Sequence, residues 1–221
     1  MKAKIVCLHG YSMNSDWLRQ WCLPLELALV EEAIFLYPQG PIACPEAEVR
    51  ATTALFNASI SESRIGPGLN WCWYRAGEQR PPVYHGIDET LVWLAELFER
   101  EGPISGVFGW SQGAVMTALL AALMEREPDS PFQFDWAVLC GGFLPGDRRY
   151  RGYFEPPLSL PTLHVLGEKE SDFMQQQGDR LRTAFAHSDR LNTPVGHILP
   201  VKYPALMAQI AAWMQQRLRQ S

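Results

Sequence analysis

Short, mainly apolar runs alternate with longer amphipathic segments along most of this chain. The short runs, which are typical of buried strands, fall at residues 5–8, 33–37, 104–108, 136–140 and 162–166, with a weaker one at 189–192. Apolar residues at helical spacing occur at residues 15–30, 87–100, 112–126, 175–185 and 203–218. Strands separated by helices predict three layers: a mostly parallel central sheet of about six strands, with helices on both faces.

The regular pattern weakens between residues 41 and 82, although residues 46–57 could form one helix. A connection of this length in a compact domain usually carries function or covers a site. Its aromatic cluster of Trp71, Trp73 and Tyr74 either fills the core or lines an apolar pocket, as ligand sites usually require. We expect a single domain over residues 1–221, in which the 41–82 excursion could cover the active site.

Composition narrows the choice of partner. Acidic residues outnumber basic ones by 24 to 19, and no block of Lys and Arg suggests binding to nucleic acid. The five cysteines are scattered without a C-x-x-C pair, which argues against a disulfide framework or a zinc site and favours a reducing compartment. No uncharged stretch approaches the roughly 18 residues of a membrane span. We expect a cytoplasmic protein with a small-molecule partner; the sequence does not indicate its oligomeric state.

The most specific motif is Gly109-Trp110-Ser111-Gln112-Gly113, which lies between a predicted strand and an apolar helix. In that context a G-x-S-x-G sequence forms a tight turn that lifts the serine hydroxyl above the sheet edge. The flanking glycines let the backbone turn without a clash at Cβ. Ser111 is therefore the candidate nucleophile, and the Gln112 amide, at the helix N-terminus, is a candidate oxyanion donor.

A serine nucleophile needs a base, and His197 is the best placed of the five histidines. It follows the last short strand and precedes the last helix, which gives the chain order Ser, acid, His. The remaining histidines precede Ser111 or lie away from a suitable strand end: His9, His85, His164 and His187.

The acid that orients His197 should follow the strand at residues 162–166. Glu170 and Asp172 both remain candidates there, whereas Glu168 lies closest to the strand and is the least free to turn. The second oxyanion donor should come from the loop after the first strand, where Gly10 allows a close approach. We therefore expect the Tyr11 amide to point into the site and the His9 side chain to brace the loop.

Taken together, these segments resemble the FSH family of serine hydrolases, a small branch of the α/β-hydrolase fold. The matching pieces, in the family's order, are 8–11 with Asn14, 71–74, 106–114, 141–143, 167–170 and 196–200. The resemblance implies an esterase or thioesterase acting on acyl chains without a metal or organic cofactor. The chain departs from the usual family residues at Met13, Trp110 and Val195. The family's acid position corresponds to Glu170, whereas a two-residue slip would favour Asp172.

The predicted reaction is cleavage of a carboxylic ester or thioester through an acyl-enzyme on Ser111. Aromatic residues of the excursion, together with Phe143, would hold the acyl group. A lysophospholipase or an acyl-protein-thioesterase-like enzyme would share this chemistry with a different substrate, and a lyase or perhydrolase could use the same triad. From another class, a non-catalytic binding module could be built on the same scaffold, but such modules typically lack the nucleophile or the base.

Overall fold

A six-stranded parallel sheet forms the centre of the structure, a computed structural model that describes residues 2–48, 50 and 70–220. Its strands are β1 (Ala3–Leu8), β2 (Ala33–Leu36), β7 (Gly106–Trp110), β8 (Trp136–Cys140), β9 (Thr162–Gly167) and β10 (Ser188–Thr193). Their order across the sheet is β10-β9-β8-β7-β1-β2, and every neighbouring pair is parallel. The predicted central sheet is therefore confirmed.

Helices cover both faces of this sheet. The helices of the described residues are α1 (Ser15–Ala28), α2 (Ile87–Glu101), α3 (Gln112–Arg126), α4 (Asp172–Thr183) and α5 (Pro204–Leu218), with a 3-10 helix at Arg148–Phe154. Side chains of α1 and α5 share one hydrophobic core, and those of α2 and α3 share the other. Strand β1 supplies both cores, because Ile5 faces one and Val6 the other, with the two-residue period of a strand. These layers form the predicted three-layer α/β architecture.

Four two-residue strands, which the apolar pattern did not indicate, lie in or just after the 41–82 excursion. Strand β3 (Ile42–Ala43) pairs with β4 (Trp71–Cys72), and β5 (Arg75–Ala76) pairs with β6 (Tyr84–His85), both antiparallel. Pairs this short carry no readable alternation of apolar and polar residues. Apart from residues 46–48 and 50, the helix predicted at 46–57 lies outside the described residues and stays a prediction.

Three elements have bounds that differ from the predicted ones. Strand β7 starts at Gly106 rather than at residue 104 and runs on to Trp110, where it still pairs with Cys140 of β8. Helix α4 starts at Asp172 rather than at 175, because the Ser171 side chain caps it by accepting the Met174 N–H at 3.3 Å. Helix α1 continues through Pro24 to Ala28.

The parallel arrangement brings the candidate functional residues to one edge of the sheet. Strands β1, β7, β9 and β10 all end at this edge, and the segments that carry the predicted oxyanion loop, nucleophile, acid and base follow them directly. In open α/β sheets the carboxyl ends of the strands are where ligands bind. Among the described residues, no helix is both long enough and apolar enough to pass through a membrane.

A buried histidine in this sheet predicts sensitivity to acid. His164 of β9 is about 1% exposed, and its Nε2 lies 3.1 Å from the Thr162 hydroxyl. Burial lowers its pKa from 6.5 to about 3, with a smaller contribution from the charge of Arg182. Below pH 6.5 the unfolded chain therefore binds a proton that the folded protein does not, so the stability present above pH 6.5 is lost as the pH falls towards 3.

As the pH falls from 6.5 to 4.5, the free energy of unfolding of His164→Leu should decrease less than that of the wild type. The difference in slope should be about 1.4 kcal/mol per pH unit, the value for one proton. Urea unfolding at pH 7.0, 6.0 and 4.5 measures it, and His187→Gln, at an exposed histidine, is the control. Parallel pH dependences for His164→Leu and the wild type would contradict the assignment.

Candidate active site

The backbone bends sharply at Ser111, between β7 and α3. Ser111 has φ 54° and ψ −116°, and residues other than glycine rarely adopt a positive φ. A Cβ at Gly113 would overlap the Leu8 carbonyl, and one at Gly109 would overlap the Gly113 carbonyl. The two glycines of the motif therefore permit the close approach of β1, β7 and α3 on which this bend depends.

The bend brings the Ser111 hydroxyl to His197, as the sequence predicts. Ser111 Oγ lies 2.8 Å from His197 Nε2, although the two residues are 86 positions apart in the chain. Both are about 8% exposed, so most of their surface is shielded from water. The hydroxyl can donate to Nε2, which leaves the serine oxygen as the atom available for attack.

Glu170, rather than Asp172, is the carboxylate beside the imidazole. His197 Nδ1 lies 3.1 Å from Glu170 Oε2, and the Glu170 side chain is about 6% exposed. Asp172 is exposed in the first turn of α4, and Glu168 is exposed as well. Ser171, which lies between Glu170 and Asp172 in the chain, caps α4 and so places Asp172 in the exposed first turn of that helix. The alternative acid, Asp172, is therefore not the one beside the imidazole.

The acid and base segments are joined directly by backbone hydrogen bonds. The Glu168 N–H donates to the Thr193 carbonyl at 2.8 Å, and the Lys169 N–H donates to the Val195 carbonyl at 3.0 Å. These bonds continue the pairing of β9 with β10 beyond the strand ends. They fix the carboxylate and the imidazole relative to each other.

Gly141 makes room for the imidazole on the side of β8. Its φ is 59°, and a Cβ there would lie 2.9 Å from His197 Cε1 and 3.5 Å from Glu170 Oε1. Such a contact with the ring would force the imidazole away from Ser111. The indole of Trp110 packs against the same imidazole, with ring centroids 5.4 Å apart.

Two backbone amides are available to hold a developing oxyanion beside Ser111. Within the described part of the chain, neither the Tyr11 N–H nor the Gln112 N–H donates to a protein acceptor. The Gln112 amide is at the N-terminus of α3, where the helix dipole favours negative charge. The loop after β1 that carries Tyr11 (the Tyr11 loop) lies close to Ser111 because Gly10 has no side chain. A Cβ at Gly10 would lie 3.3 Å from the Ser111 Cβ and overlap the Trp110 ring.

Hydrogen bonds of the His9 ring hold the Tyr11 loop in place. Its Nδ1 lies 2.8 Å from the Gly10 carbonyl, and its Nε2 accepts from the Gly40 N–H and from the Gln39 side chain, each at 2.9 Å. Burial lowers the pKa of His9 to about 4, so the ring is neutral at pH 7 with its proton on Nδ1. This arrangement agrees with the bracing role predicted for His9.

A cavity of about 1190 Å³ opens beside Ser111 and His197. The rings of Tyr74 and Tyr84 stack in its wall with centroids 3.9 Å apart. Other apolar lining comes from Pro82, Phe143, Leu144, Phe173 and Met174, and charged lining from Glu48, Arg75, Glu78 and Lys169. Arg75 and Glu48 form an ion pair across part of this lining.

The structure places the predicted pocket residues in two groups. Tyr74 and Phe143 line the cavity, whereas Trp71 and Trp73 do not. Trp71 is held in the β3–β4 pair, and Trp73 is fully buried between the Tyr11 loop and α2. The expectation that Trp71 and Trp73 line the pocket therefore needs correction, because pairing in β4 fixes Trp71 and the indole of Trp73 is turned inward to donate to the His9 carbonyl at 2.7 Å.

Sequence reasoning missed several lining residues. Tyr84 and His85 lie just beyond the 41–82 excursion, in the two-residue strand β6. Phe173 and Met174 lie two and three residues after the capping residue Ser171, and Phe173 is 66% exposed. An aromatic residue at the exposed start of a helix, next to a candidate acid, is a signal that could have indicated the cavity mouth.

Within the ranges that the structure describes, no three His, Cys, Asp or Glu side chains come together in a group that could hold a metal ion. All five cysteines are buried free thiols. The absence of a metal or organic cofactor stays a prediction.

Solved structures show the class of fold. Acyl-protein thioesterase 2 of Zea mays superposes with a TM-score of 0.70 at 21% identity, covering 98% of this chain and 94% of that one. A carboxylesterase from Mesorhizobium loti superposes with a TM-score of 0.61 at 16% identity, covering 97% and 89%. With its strand-turn-helix serine, the fold is that of an α/β hydrolase.

Sequence comparison narrows this class to one family. A model of the serine hydrolase (FSH1) family matches residues 1–209. Esterase OVCA2 of Bos taurus is 33% identical over 219 residues, and that of Homo sapiens is 28% identical over 218 residues. Each alignment covers 94% of this chain and 93% of the relative. The chain belongs to the serine hydrolase (FSH1) family, as its motifs indicated.

The position of Glu170 predicts unequal effects of the two candidate acids. Glu170→Gln keeps the shape of the side chain but removes the charge that stabilises the imidazolium, so kcat/KM on a p-nitrophenyl ester should fall roughly 10³–10⁴-fold. Asp172→Asn, the matched control, should stay within about twofold of the wild type. Equal activities of the two variants would show that Glu170 does not serve the imidazole.

Proposed function

We propose that this hydrolase cleaves carboxylic esters or thioesters of acyl substrates through an acyl-enzyme on Ser111. The observation that carries the proposal is one continuous hydrogen-bonded chain at the cavity wall. It runs from Ser111 Oγ to His197 Nε2 at 2.8 Å, and from His197 Nδ1 to Glu170 Oε2 at 3.1 Å. Nucleophile, base and orienting acid are thereby aligned in the order that acyl transfer requires.

The first half of the reaction forms the acyl-enzyme. His197 Nε2 takes the proton of Ser111 as Oγ attacks the carbonyl carbon, and Glu170 stabilises the resulting imidazolium. The carbonyl oxygen becomes an oxyanion that the amides of Tyr11 and Gln112 hold; one such donor is worth about 3–4 kcal/mol in other enzymes. His197 then returns the proton to the leaving alcohol or thiol as its bond to the carbonyl carbon breaks.

Water completes the cycle. His197 takes a proton from a water molecule as the water oxygen attacks the acyl carbon, and a second tetrahedral intermediate forms at the same two amides. Collapse of this intermediate returns the proton to Ser111 and releases the carboxylic acid. The two halves use the same groups in the same places, so no other residue needs to move.

The cavity supports an apolar acyl group as the recognised part of the substrate. Tyr74, Tyr84 and Phe143 present aromatic surface beside the nucleophile, while the charged side chains give a mixed rim. Apolar walls with a few placed polar groups are typical of sites for small ligands. The relatives' names, esterase and acyl-protein thioesterase, support both leaving groups, an alcohol and a thiol.

A non-catalytic binding module, the alternative from another class, is not favoured by the site. Ser111 has φ 54°, and a conformation of this kind costs about 1–3 kcal/mol. The bend projects the Ser111 hydroxyl onto the imidazole of His197, an arrangement that acyl transfer uses and that binding alone does not require. A lysophospholipase or an acyl-protein-thioesterase-like enzyme would use this same site with a different substrate.

A fluorophosphonate probe tests the proposed nucleophile. The wild type should gain one phosphonyl group, mapped by mass spectrometry to the peptide containing Ser111, and Ser111→Ala should gain none. Ser171→Ala is the matched control, since Ser171 also lines the cavity and lies beside Glu170, yet it should still label. A wild type that stays unlabelled, or a label that survives in Ser111→Ala, would overturn the proposal.

The same proteins are then compared on p-nitrophenyl esters and acyl-thioester substrates. Ser111→Ala should lose about 10⁶-fold in kcat, the loss seen when other serine hydrolases lose this residue. Ser171→Ala should keep most of the wild-type rate on both substrate types. The ratio of the two wild-type kcat/KM values then ranks the alcohol and thiol leaving groups.

A further inference from the structure

The two oxyanion donors of this site lie on separate segments of the chain. Tyr11 is in the loop after β1, and Gln112 is the first residue of α3, about one hundred positions away. An oxyanion hole works only when its donors already lie where the charge will develop. Something must therefore set the distance between these two segments.

Trp73 bonds to both segments. Its indole Nε1–H donates to the carbonyl of His9 at 2.7 Å, two residues before Tyr11. Its backbone N–H donates to the side-chain Oε1 of Gln112 at 2.9 Å. One residue thus spans the gap between the loop and the helix that carry the two donors.

The residues around Trp73 hold it rigidly. Gln112 Nε2 donates to the Tyr74 carbonyl at 2.8 Å, so the side-chain amide of Gln112 uses both its ends on residues 73 and 74. The hydroxyl of Thr90 in α2 donates to the Trp73 carbonyl at 2.6 Å. Trp73 and Thr90 are fully buried and Gln112 nearly so. Hydrogen bonds in such surroundings are strong, and losing one leaves a costly unpaired group.

The Tyr11 loop, which Trp73 contacts at the His9 carbonyl, is held in place by residues outside the loop. Gly10 separates His9 from Tyr11, and glycine leaves the backbone free to adopt many conformations. The His9 ring packs against the indole of Trp73, with centroids 4.9 Å apart, and is itself held by Gly40 and Gln39. The His9 carbonyl lies one peptide unit before the Tyr11 amide, so holding the carbonyl limits how that amide can turn.

We propose that Trp73 is a positioning residue that, through the Gln112 side chain and the His9 carbonyl, sets the spacing of the two oxyanion donors. The inference rests on the proposed acyl-transfer function. Trp73 lies outside the cavity lining, so it contributes no contact to the acyl group. Its loss should therefore weaken stabilisation of the tetrahedral intermediate while leaving ground-state binding of the substrate nearly unchanged.

The primary variant is Trp73→Phe, which keeps an aromatic ring but removes the indole N–H. Its matched control is Trp136→Phe. Trp136 is also fully buried, but its Nε1 has no hydrogen-bond partner among the described residues. Both changes remove the same atoms from a core, but only Trp73→Phe removes a hydrogen bond to the Tyr11 loop, the one to the His9 carbonyl.

On a p-nitrophenyl ester, kcat of Trp73→Phe should fall at least tenfold, with KM within about twofold of the wild type. An alkyl trifluoromethyl ketone, whose adduct with Ser111 carries an oxyanion, should bind more weakly by the same factor as the loss in kcat/KM. Trp136→Phe should keep kcat and the affinity for the ketone near those of the wild type, even if its melting temperature falls as far as that of Trp73→Phe. A merely structural role for Trp73 would leave kcat and ketone affinity equal in the two variants, and that result would overturn the proposal.

Gln112→Met is the second variant, in case Trp73→Phe does not fold. It keeps the length of the side chain and the backbone amide, but removes both bonds to residues 73 and 74. The same loss in kcat and ketone affinity is expected, and wild-type values would overturn the proposal. Wild-type labelling by fluorophosphonate separates the two failures: a labelled, active wild type with unaffected variants removes only the role of Trp73, and an unlabelled wild type removes the function itself.

Discussion

The left-handed backbone at Ser111 is the constraint on which the rest of the site depends. With φ at 54°, the chain leaves β7 and enters α3 within one residue, and the hydroxyl projects above the sheet edge. This geometry requires the close packing of Gly109 and Gly113, where any side chain would overlap backbone carbonyls. The cost of the bend, about 1–3 kcal/mol, is offset by the buried strands and helix on either side.

The other candidate catalytic groups lie near the hydroxyl because parallel strands end together. Backbone bonds from Glu168 and Lys169 to the β10 exit join acid and base, so the imidazole is placed by the sheet and not by a free loop. Trp73 bonds to the β1 exit and to the start of α3, the two segments that carry the proposed oxyanion donors. A rigid support of this kind is what precise positioning of reacting groups requires.

Much of this arrangement could be predicted from the sequence, for identifiable reasons. The sheet and its helices follow from periodic apolar residues. The contact between Ser111 and His197 could be predicted because a turn motif and the chain order constrain both residues strongly. Glu170 could only be narrowed to a choice with Asp172, since that choice depends on where Ser171 starts a helix. The sequence left Trp73 open between core and pocket, because a buried indole and a pocket indole have the same sequence signature. Its direction is fixed by distant partners, the His9 carbonyl and the Gln112 side chain.

The most direct test of the account is a crystal structure of the protein after reaction with a p-nitrophenyl phosphonate ester. The phosphorus of that adduct stands in for the tetrahedral carbon of acyl transfer. We predict phosphorus bonded to Ser111 Oγ, with the phosphoryl oxygen within about 3 Å of the Tyr11 and Gln112 amide nitrogens and His197 still beside Glu170. Phosphorus on another residue, or a phosphoryl oxygen turned away from both amides, would contradict it.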